Sequence, residues 1–486
     1  MADNPLSNIE PTDVWNYFYE ISQIPRCSTQ EDKIRTYLIE QAKRRGLDYG
    51  TDEIGNMVIH VPASTGYKDH PTVVIQGHMD MVCEKNKATD HDFAADPLKL
   101  RLDGDTLFAE GTTLGADNGI ALAMGLALLD SDTPHGPLEL LFTTDEESGL
   151  TGALNLDPSL INGKILLNLD SEEEGVFYIG CAGGVTTICD IPVEWSAPAD
   201  QTAAVSVSIT GLKGGHSGAD IHEGRANAVK LGARLLWNLH EEFPVRIAEI
   251  EGGGKHNVIA RELFVTITVP ESQKEQLIER VKELGRTFAA EYGDIEPNMK
   301  VEVKEADAAP ERVLSPKTTS RTIGALYLIP HGVDEMSRTI EGLVETSTNL
   351  ASVSLRDYDV HVTTSQRSSM ISKRDDICAR VTAAMRTAGA KVQYRAVYPA
   401  WTPNPDNPLI ETFSSAYREL SGQEPTVTAI HAGLESGVIG DKFSGMHMIS
   451  MGPDLRDVHT PDEHISISSV GRIWQLLTKV LPELKI

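Results

Sequence analysis

Residues 138–149 read LELLFTTDEESG, a mostly apolar run that passes straight into an Asp and two adjacent glutamates. The run LELLFT is too short for a helix and too continuous for a strand with one wet face. It reads as a strand buried on both faces of a sheet. TVVIQ (72–76), KILLNL (164–169) and MHMISMG (446–452) have the same character. Between the first two lies NGIALAMGLALLD (118–130), apolar all round, which reads as a buried helix. Two amphipathic helices precede them, DVWNYFYEISQI (13–24) and QEDKIRTYLIEQAKRRG (30–46), the second stopped by Gly46. Strands alternating with helices predict an α/β layer with a mostly parallel central sheet.

From about residue 190 the pattern changes. AVSVSITGL (204–212), LFVTITVP (263–270), ASVSLRD (351–357) and DVHVTTSQ (359–366) alternate apolar with polar residues, as antiparallel strands with one buried face do. Helical stretches at 225–242, 272–293 and 372–390 lie between them, so this region reads as α+β. A strand–helix–strand–strand–helix order recurs at about 204–300 and 315–400. The α/β style returns with NPLIETFSSAYRELSG (407–422). The expected organisation is a catalytic domain in two parts, 1–187 and 401–486, interrupted by an inserted α+β domain at 188–400, itself two units of similar topology.

The bulk properties exclude several roles. A chain of 486 residues outgrows one core, so more than one domain is expected. The formal net charge of −28 repels phosphate backbones and anionic lipids, which argues against nucleic-acid and membrane partners. Five scattered cysteines give no disulfide framework and fit reduced thiols. The N-terminal stretch MADNPLSNIEPTDVW has no Lys or Arg, and GIALAMGLALL (119–129) is too short to span a bilayer. A cytoplasmic protein is expected.

Chemistry gathers where the buried strands end. After TVVIQ come His78 and Asp80; Asp117 opens the buried helix; Asp145, Glu146 and Glu147 follow LELLFTT; Asp170 follows KILLNL; and His459 lies beyond MHMISMG. Ligands of open α/β sheets bind at the carboxyl ends of strands, so these groups are expected to share one crevice. Imidazole with carboxylate and no thiolate suits zinc, manganese or cobalt at a hydrolytic site. Several carboxylates around one point need cations between them, and two ions sharing a carboxylate meet that need. LKGGHSG (212–218) and EGGGKH (251–256) lack the dinucleotide and phosphate-loop patterns, CAGG (181–184) reads as a short turn, and EWSAPADQTAA (194–204) as a linker.

Taken in order, GHMDMV, GTTLGADNGI, TTDEESGLTGA, NLDSEEEG, CAGG, LKGGHSG, HAGLESG and HTPDE resemble the bacterial aminoacyl-histidine dipeptidases, within the wider clan of di-zinc aminopeptidases, carboxypeptidases and carnosinases. The resemblance runs over nearly the whole chain. It implies a di-zinc peptidase domain with an inserted lid that closes over the substrate, and two Zn2+ per chain for which Co2+ or Mn2+ can substitute. His78 and Asp170 would hold one ion and Glu147 and His459 the other, with Asp117 bridging. Asp80 would orient His78, and Glu146 would be the general base. His216 would meet the scissile carbonyl or oxyanion, while Asn257 and Arg367 would contact the substrate ends, Arg367 the free carboxylate. The implied activity is hydrolysis of unblocked dipeptides, Xaa-His included, and relatives often pair as homodimers through the lid. An N-deacylase or carboxypeptidase-like enzyme of the clan would share the metal residues. A non-catalytic binding protein on this fold would lack a ligand or the base, and none is missing. The resemblance assigns nothing to Asp145.

Overall fold

The computed structural model describes residues 4–485, so the first three residues of the N-terminal stretch, and Ile486, lie outside it. The chain forms two compact units. Unit 1 comprises Met1–Cys181, Trp401–Ala429 and Leu434–Ile486; unit 2 comprises Ala182–Ala400 and Ile430–Gly433.

Unit 1 holds an eight-stranded sheet. Six strands come from its first segment: β1 (Asp48–Thr51), β2 (Met57–Val61), β3 (Val73–His78), β4 (Leu138–Thr143), β5 (Ile165–Asn168) and β6 (Val176–Cys181). Two come from beyond residue 400, Thr426–Ile430 and His447–Ser450, which are β15 and β16 in chain order. The spatial order is β1-β2-β4-β3-β5-β16-β6-β15. The central four, β4-β3-β5-β16, run parallel, and the pairs β1·β2, β2·β4 and β16·β6 are antiparallel. β3, β4 and β5 are buried at every position, as their unbroken apolar character requires. Helices α1 (Thr12–Ser22), α2 (Asp32–Arg44) and α3 (Ala116–Leu128) share one apolar core with the sheet, as do two late helices, Leu409–Ser421 and Ile467–Val480. Every residue of α3 except Asp117 is buried. Because the central strands point the same way, His78 and the segments after Thr143, Asn168 and Ser450 all leave the sheet along one edge.

Unit 2 is built on antiparallel strands: β7 (Gly183–Pro192), β8 (Thr202–Thr210), β9 (Arg246–Gly253), β10 (Leu263–Pro270), β11 (Lys300–Glu305), β12 (Val344–Leu355), β13 (Asp359–Ser368) and β14 (Lys391–Tyr398). Their order is β11-β8-β10-β9-β12-β13-β7-β14, with a ninth short strand, Gly332–Met336, against β12. Burial alternates along β8, placing Val205, Val207 and Ile209 in a core shared with α4 (Ala228–Glu242), α5 (Lys274–Tyr292), α6 (Pro316–Leu328) and α7 (Ile371–Thr387). The sheet contains the same arrangement twice. In one half, β8-α4-β9-β10-α5-β11 folds with the strand order β11-β8-β10-β9; in the other, β7-α6-β12-β13-α7-β14 gives β14-β7-β13-β12. The inner strands β9 and β12 join the halves in antiparallel pairing at Glu251–Gly253 and Ser352–Ser354. The second half takes its first strand from residues before the first half, whereas the sequence reading began it near 315. CAGG is not a turn: Cys181 ends β6 and Gly183 begins β7.

The expectation of reduced thiols fails at one pair. Cys27 and Cys83 form a disulfide across 56 residues, while Cys181, Cys189 and Cys378 are free and buried. The pairing depends on a contact that no spacing reveals, a parallel bridge between Cys27 and Met81. No helix among the described residues is long and apolar enough to cross a membrane.

Asn227 ties the two halves of unit 2. Its Oδ1 caps α4 by accepting the Lys230 N–H at 3.0 Å, and its Nδ2 donates to the Leu350 carbonyl on β12 at 2.8 Å. Asn227→Ala loses both bonds and is expected to lower unfolding free energy by about 2 kcal/mol in chemical denaturation, and Asn227→Asp, which keeps the cap but turns a buried acceptor toward the Leu350 carbonyl, is expected to be no more stable than Asn227→Ala.

Candidate metal centre

β4 stops at Thr143, and the three acids that follow it form a tight turn anchored by other carboxylates. The Asp145 N–H donates to Glu31 Oε1 at 3.0 Å. The next two N–H groups, of Glu146 and Glu147, donate to the two oxygens of Asp80 at 3.0 and 3.2 Å. Asp145 has φ of 49°, in the left-handed region that Asp tolerates better than most residues. This supplies the role its side chain did not reveal: Asp145 makes the turn. The adjacent glutamates therefore sit in this turn, beyond the end of the strand.

Five predicted ligands lie together. His78 Nε2 is 3.1 Å from Asp117 Oδ1 and 3.5 Å from Asp170 Oδ1. His459 Nε2 is 3.2 Å from Asp117 Oδ2 and 3.0 Å from Glu147 Oε2. Asp117 thus turns one oxygen to each imidazole–carboxylate pair. These separations match the edge of a tetrahedron around an ion with bonds of about 2.0–2.1 Å, which is about 3.3 Å. Glu147 Oε1 is buried without a hydrogen-bond partner. Donor type, spacing and this unpartnered atom all fit divalent cations.

The crowding of acids and imidazoles shifts the proton affinity of each group. Hydrogen bonds to Asp117 and Glu147 push His459 up to about 11. Burial alone would depress His78, but Asp170, Asp117 and Asp80 hold it well above its ordinary value. Burial would raise Asp117, yet its bonds to the two histidines keep it below the usual carboxylate range. Burial pushes Glu147 up to about 6, with Asp117 adding to it. Glu146 is held well above the usual range, foremost by burial; Glu147 and Asp170 add to this while His78 opposes it. Asp80 lies 3.3 Å from His78 Nδ1, on the far side of the ring from Asp117. Burial would raise it too, but His78, the Glu146 N–H and Ser28 hold it down at about 2.

Several supports had no signal in the sequence reading. Glu463, quoted within HTPDE without a role, accepts the backbone N–H groups of Leu114, Gly115, Ala116 and Asp117 at 2.8 to 3.3 Å. Buried Arg26 donates to the carbonyls of Met79 and Asp80 at 3.0 and 2.8 Å and also to that of Gly115. The loop carrying Asp117 is therefore gripped from both sides. Beneath the strand ends, Glu435 accepts from Gln76 and Thr143, each at 2.6 Å, and Asn168 donates to Gln76 at 2.6 Å. Both Glu463 and Glu435 sit in motifs whose local pattern says nothing about which distant backbone or side chain they meet.

The three predicted substrate contacts belong to unit 2. His216 Nδ1 accepts the N–H groups of Gly218 and Ala219 at 3.3 and 3.0 Å, which leaves the proton of a neutral ring on Nε2. The Asn257 carbonyl accepts from Ser217 at 2.8 Å, linking its loop to that of His216. Arg367 lies near the end of β13 and is 7% exposed.

Two outcomes follow for cation binding. Protons held by His459 and His78 must leave when a cation enters, so binding is expected to release protons and to tighten as pH rises through neutrality; calorimetry in buffers of different ionisation enthalpy measures both. Glu463→Ala frees the Asp117 loop and is expected to weaken cation affinity by about 10–100-fold, read by equilibrium dialysis against metal buffers.

Residues 74–483 match the profile of Peptidase family M20/M25/M40. The chain is 37% identical over 480 residues to the cytosol non-specific dipeptidase of Escherichia coli (strain K12), covering 99% of both chains. It resembles the crystal structure of the aminoacylhistidine dipeptidase from Vibrio alginolyticus at 38% identity and a TM-score of 0.90, over 99% of this chain and 98% of that one. A Staphylococcus aureus tripeptidase, 16% identical with a TM-score of 0.57 over 98% of this chain and 99% of that one, shares the fold. The matched stretch includes every strand end that brings a histidine or carboxylate to Asp117, and the chain belongs to peptidase family M20/M25/M40.

Proposed function

We propose that this metallopeptidase hydrolyses unblocked dipeptides, Xaa-His among them, at a pair of divalent cations that are zinc in the first instance and replaceable by cobalt or manganese. The observation that carries the reading is the division of Asp117 between two imidazole–carboxylate pairs. In this reading His78 and Asp170 would hold one cation and His459 and Glu147 the other, and Asp117 would offer one oxygen to each. Two relatives named as dipeptidases, at 37% and 38% identity, support the substrate class. Unit 1 serves as the catalytic part and unit 2 as the lid, a division that gives residues 182–187 and 430–433 to the lid and otherwise keeps the expected bounds 1–187, 188–400 and 401–486. The name of the E. coli relative supports a cytoplasmic location.

When bound, the cations polarise the scissile carbonyl and make a water acidic near neutral pH. Glu146 takes the proton from the attacking water and passes it to the leaving nitrogen, a task suited to a carboxyl whose proton affinity burial has raised. Asp80 fixes the orientation of His78 and, through the N–H groups of Glu146 and Glu147, the aim of base and ligand alike. His216 donates from Nε2 to the developing oxyanion. Asn257 and Arg367 hold the substrate ends, the Arg367 guanidinium pairing the free carboxylate.

Glu146→Ala is expected to cut turnover by at least about 10²–10⁴-fold while the variant still binds metal, measured by elemental analysis of the dialysed protein. Loss of metal together with activity would assign Glu146 to the ligands instead. Gly-His and carnosine-type substrates are expected to turn over in preference to their N-acetylated forms; the opposite preference would make the enzyme a deacylase.

A further inference from the structure

Four residues form a row across neighbouring strands of unit 2: Ser347 on β12, Arg367 on β13, Gly184 on β7 and Tyr398 on β14. Directly paired residues present their side chains to the same face of a sheet. Gly184 has no side chain, and Tyr398 reaches across it so that its phenol oxygen accepts from Arg367 Nη1 at 2.8 Å, two strands away. The seat is tight. A Cβ at Gly184 would lie 2.4 Å from the Tyr398 ring and hydroxyl, and one at Gly433 would lie 2.8 Å from the ring. The glycines of two motifs without an assigned job, CAGG and HAGLESG, thus receive the same aromatic side chain.

The guanidinium held there lacks a counter-ion. Arg367 is 7% exposed and its Nε has no hydrogen-bond partner. Among the described residues no carboxylate pairs with it within 4.0 Å. Its neighbours are histidines: burial and then Arg367 depress both His256 and His431, the latter to about 3, and His431 Nε2 is 2.7 Å from Ser347 Oγ. A buried, unneutralised guanidinium is costly unless an anion arrives. With Nη1 committed to the phenol, the Nε–Nη2 edge is the one left to meet a carboxylate through two parallel bonds.

We propose that Tyr398 is a positioning residue for substrate recognition: seated on Gly184 and Gly433, it fixes the plane of Arg367 so that the Nε–Nη2 edge receives the free C-terminal carboxylate of the dipeptide. This rests on the reading that Arg367 meets that carboxylate. Tyr398 therefore sets the preference for a free carboxyl end without touching the substrate.

The test uses the metal-loaded enzyme and compares wild type, Tyr398→Phe and Arg367→Met on Gly-His and on Gly-His amide. Tyr398→Phe keeps the ring and its glycine seat and removes only the hydroxyl. KM for Gly-His is expected to rise about tenfold with kcat within about twofold of wild type, the loss of one hydrogen bond to a charged group. Gly-His amide is expected to show no difference between wild type and Tyr398→Phe. Gly433→Ala, which displaces the ring, is expected to reproduce the KM effect. An unchanged KM in Tyr398→Phe beside a raised KM in Arg367→Met overturns the role of Tyr398 and leaves that of Arg367 standing. An equal loss on the free and amidated substrates marks Tyr398 as merely structural and also overturns the proposal. No effect of Arg367→Met on the contrast between the two substrates overturns the underlying carboxylate reading as well.

Discussion

Like-charge repulsion around Asp117 is the constraint on which the rest of unit 1 depends. Ligand atoms of His78, Asp117 and Glu147 lie within 4.8 Å of one another, and Asp170, Glu146 and Asp80 crowd the same strand ends. Two carboxylates about 4 Å apart repel by about 4 kcal/mol even at an effective dielectric constant of 20. The chain offsets part of this with fixed dipoles and one buried cation. Asp80 receives two backbone N–H groups, Glu463 receives four, and Arg26 lies behind the Asp117 loop. The raised proton affinity of His459, set by its bonds to Asp117 and Glu147, reflects the negative charge these supports leave in the cluster. That residual field favours divalent cations, and it adds to the burial that raises the affinity of Glu146 for a proton.

Parallel strand direction then explains how residues so far apart in sequence share one place. His78 ends β3, Glu147 follows β4 and Asp170 follows β5, and all three strands run side by side in the same sense. His459 comes from a later hairpin, between strands Leu455–Arg456 and His464–Ser466, and the same hairpin carries Glu463. The segment that carries His459 therefore also clamps the Asp117 loop. Unit 2 works by a different logic. Its antiparallel pairing sets residues of four strands in one row, and a glycine in that row lets a tyrosine from one strand reach an arginine two strands away.

The buried strands were legible because continuous apolar runs such as VVIQ and LELLFT have no other stable placement. β8, β10 and β13 were legible from strict alternation, since period two has only one structural meaning. The strand-end acids and histidines followed, as parallel strands leave few other places for polar side chains. What escaped was whatever depends on a distant backbone. β7 was hidden because its glycine-rich start reads as a turn until β13 and β14 are there to pair with it. α6 carries a Ser315 cap and Pro316 but takes its place only in the half of unit 2 whose first strand lies far upstream. The Cys27–Cys83 bridge was hidden for a similar reason, across 56 residues.

The acids of TTDEESG show the boundary between the two kinds of information. Residue type and order alone pointed to a hydrolytic metal site of carboxylates and imidazoles, because cations reconcile many acids gathered at strand ends. They also determined two domain styles, since apolar periodicity is a local property of the chain. Only the tertiary structure decided that Asp145 makes a turn, that Asp80 anchors both glutamates, that Glu463 and Arg26 hold the Asp117 loop, and that Gly184 and Gly433 seat Tyr398. Each of these is a hydrogen bond or close contact between residues far apart in sequence, and its partner is defined by position in space.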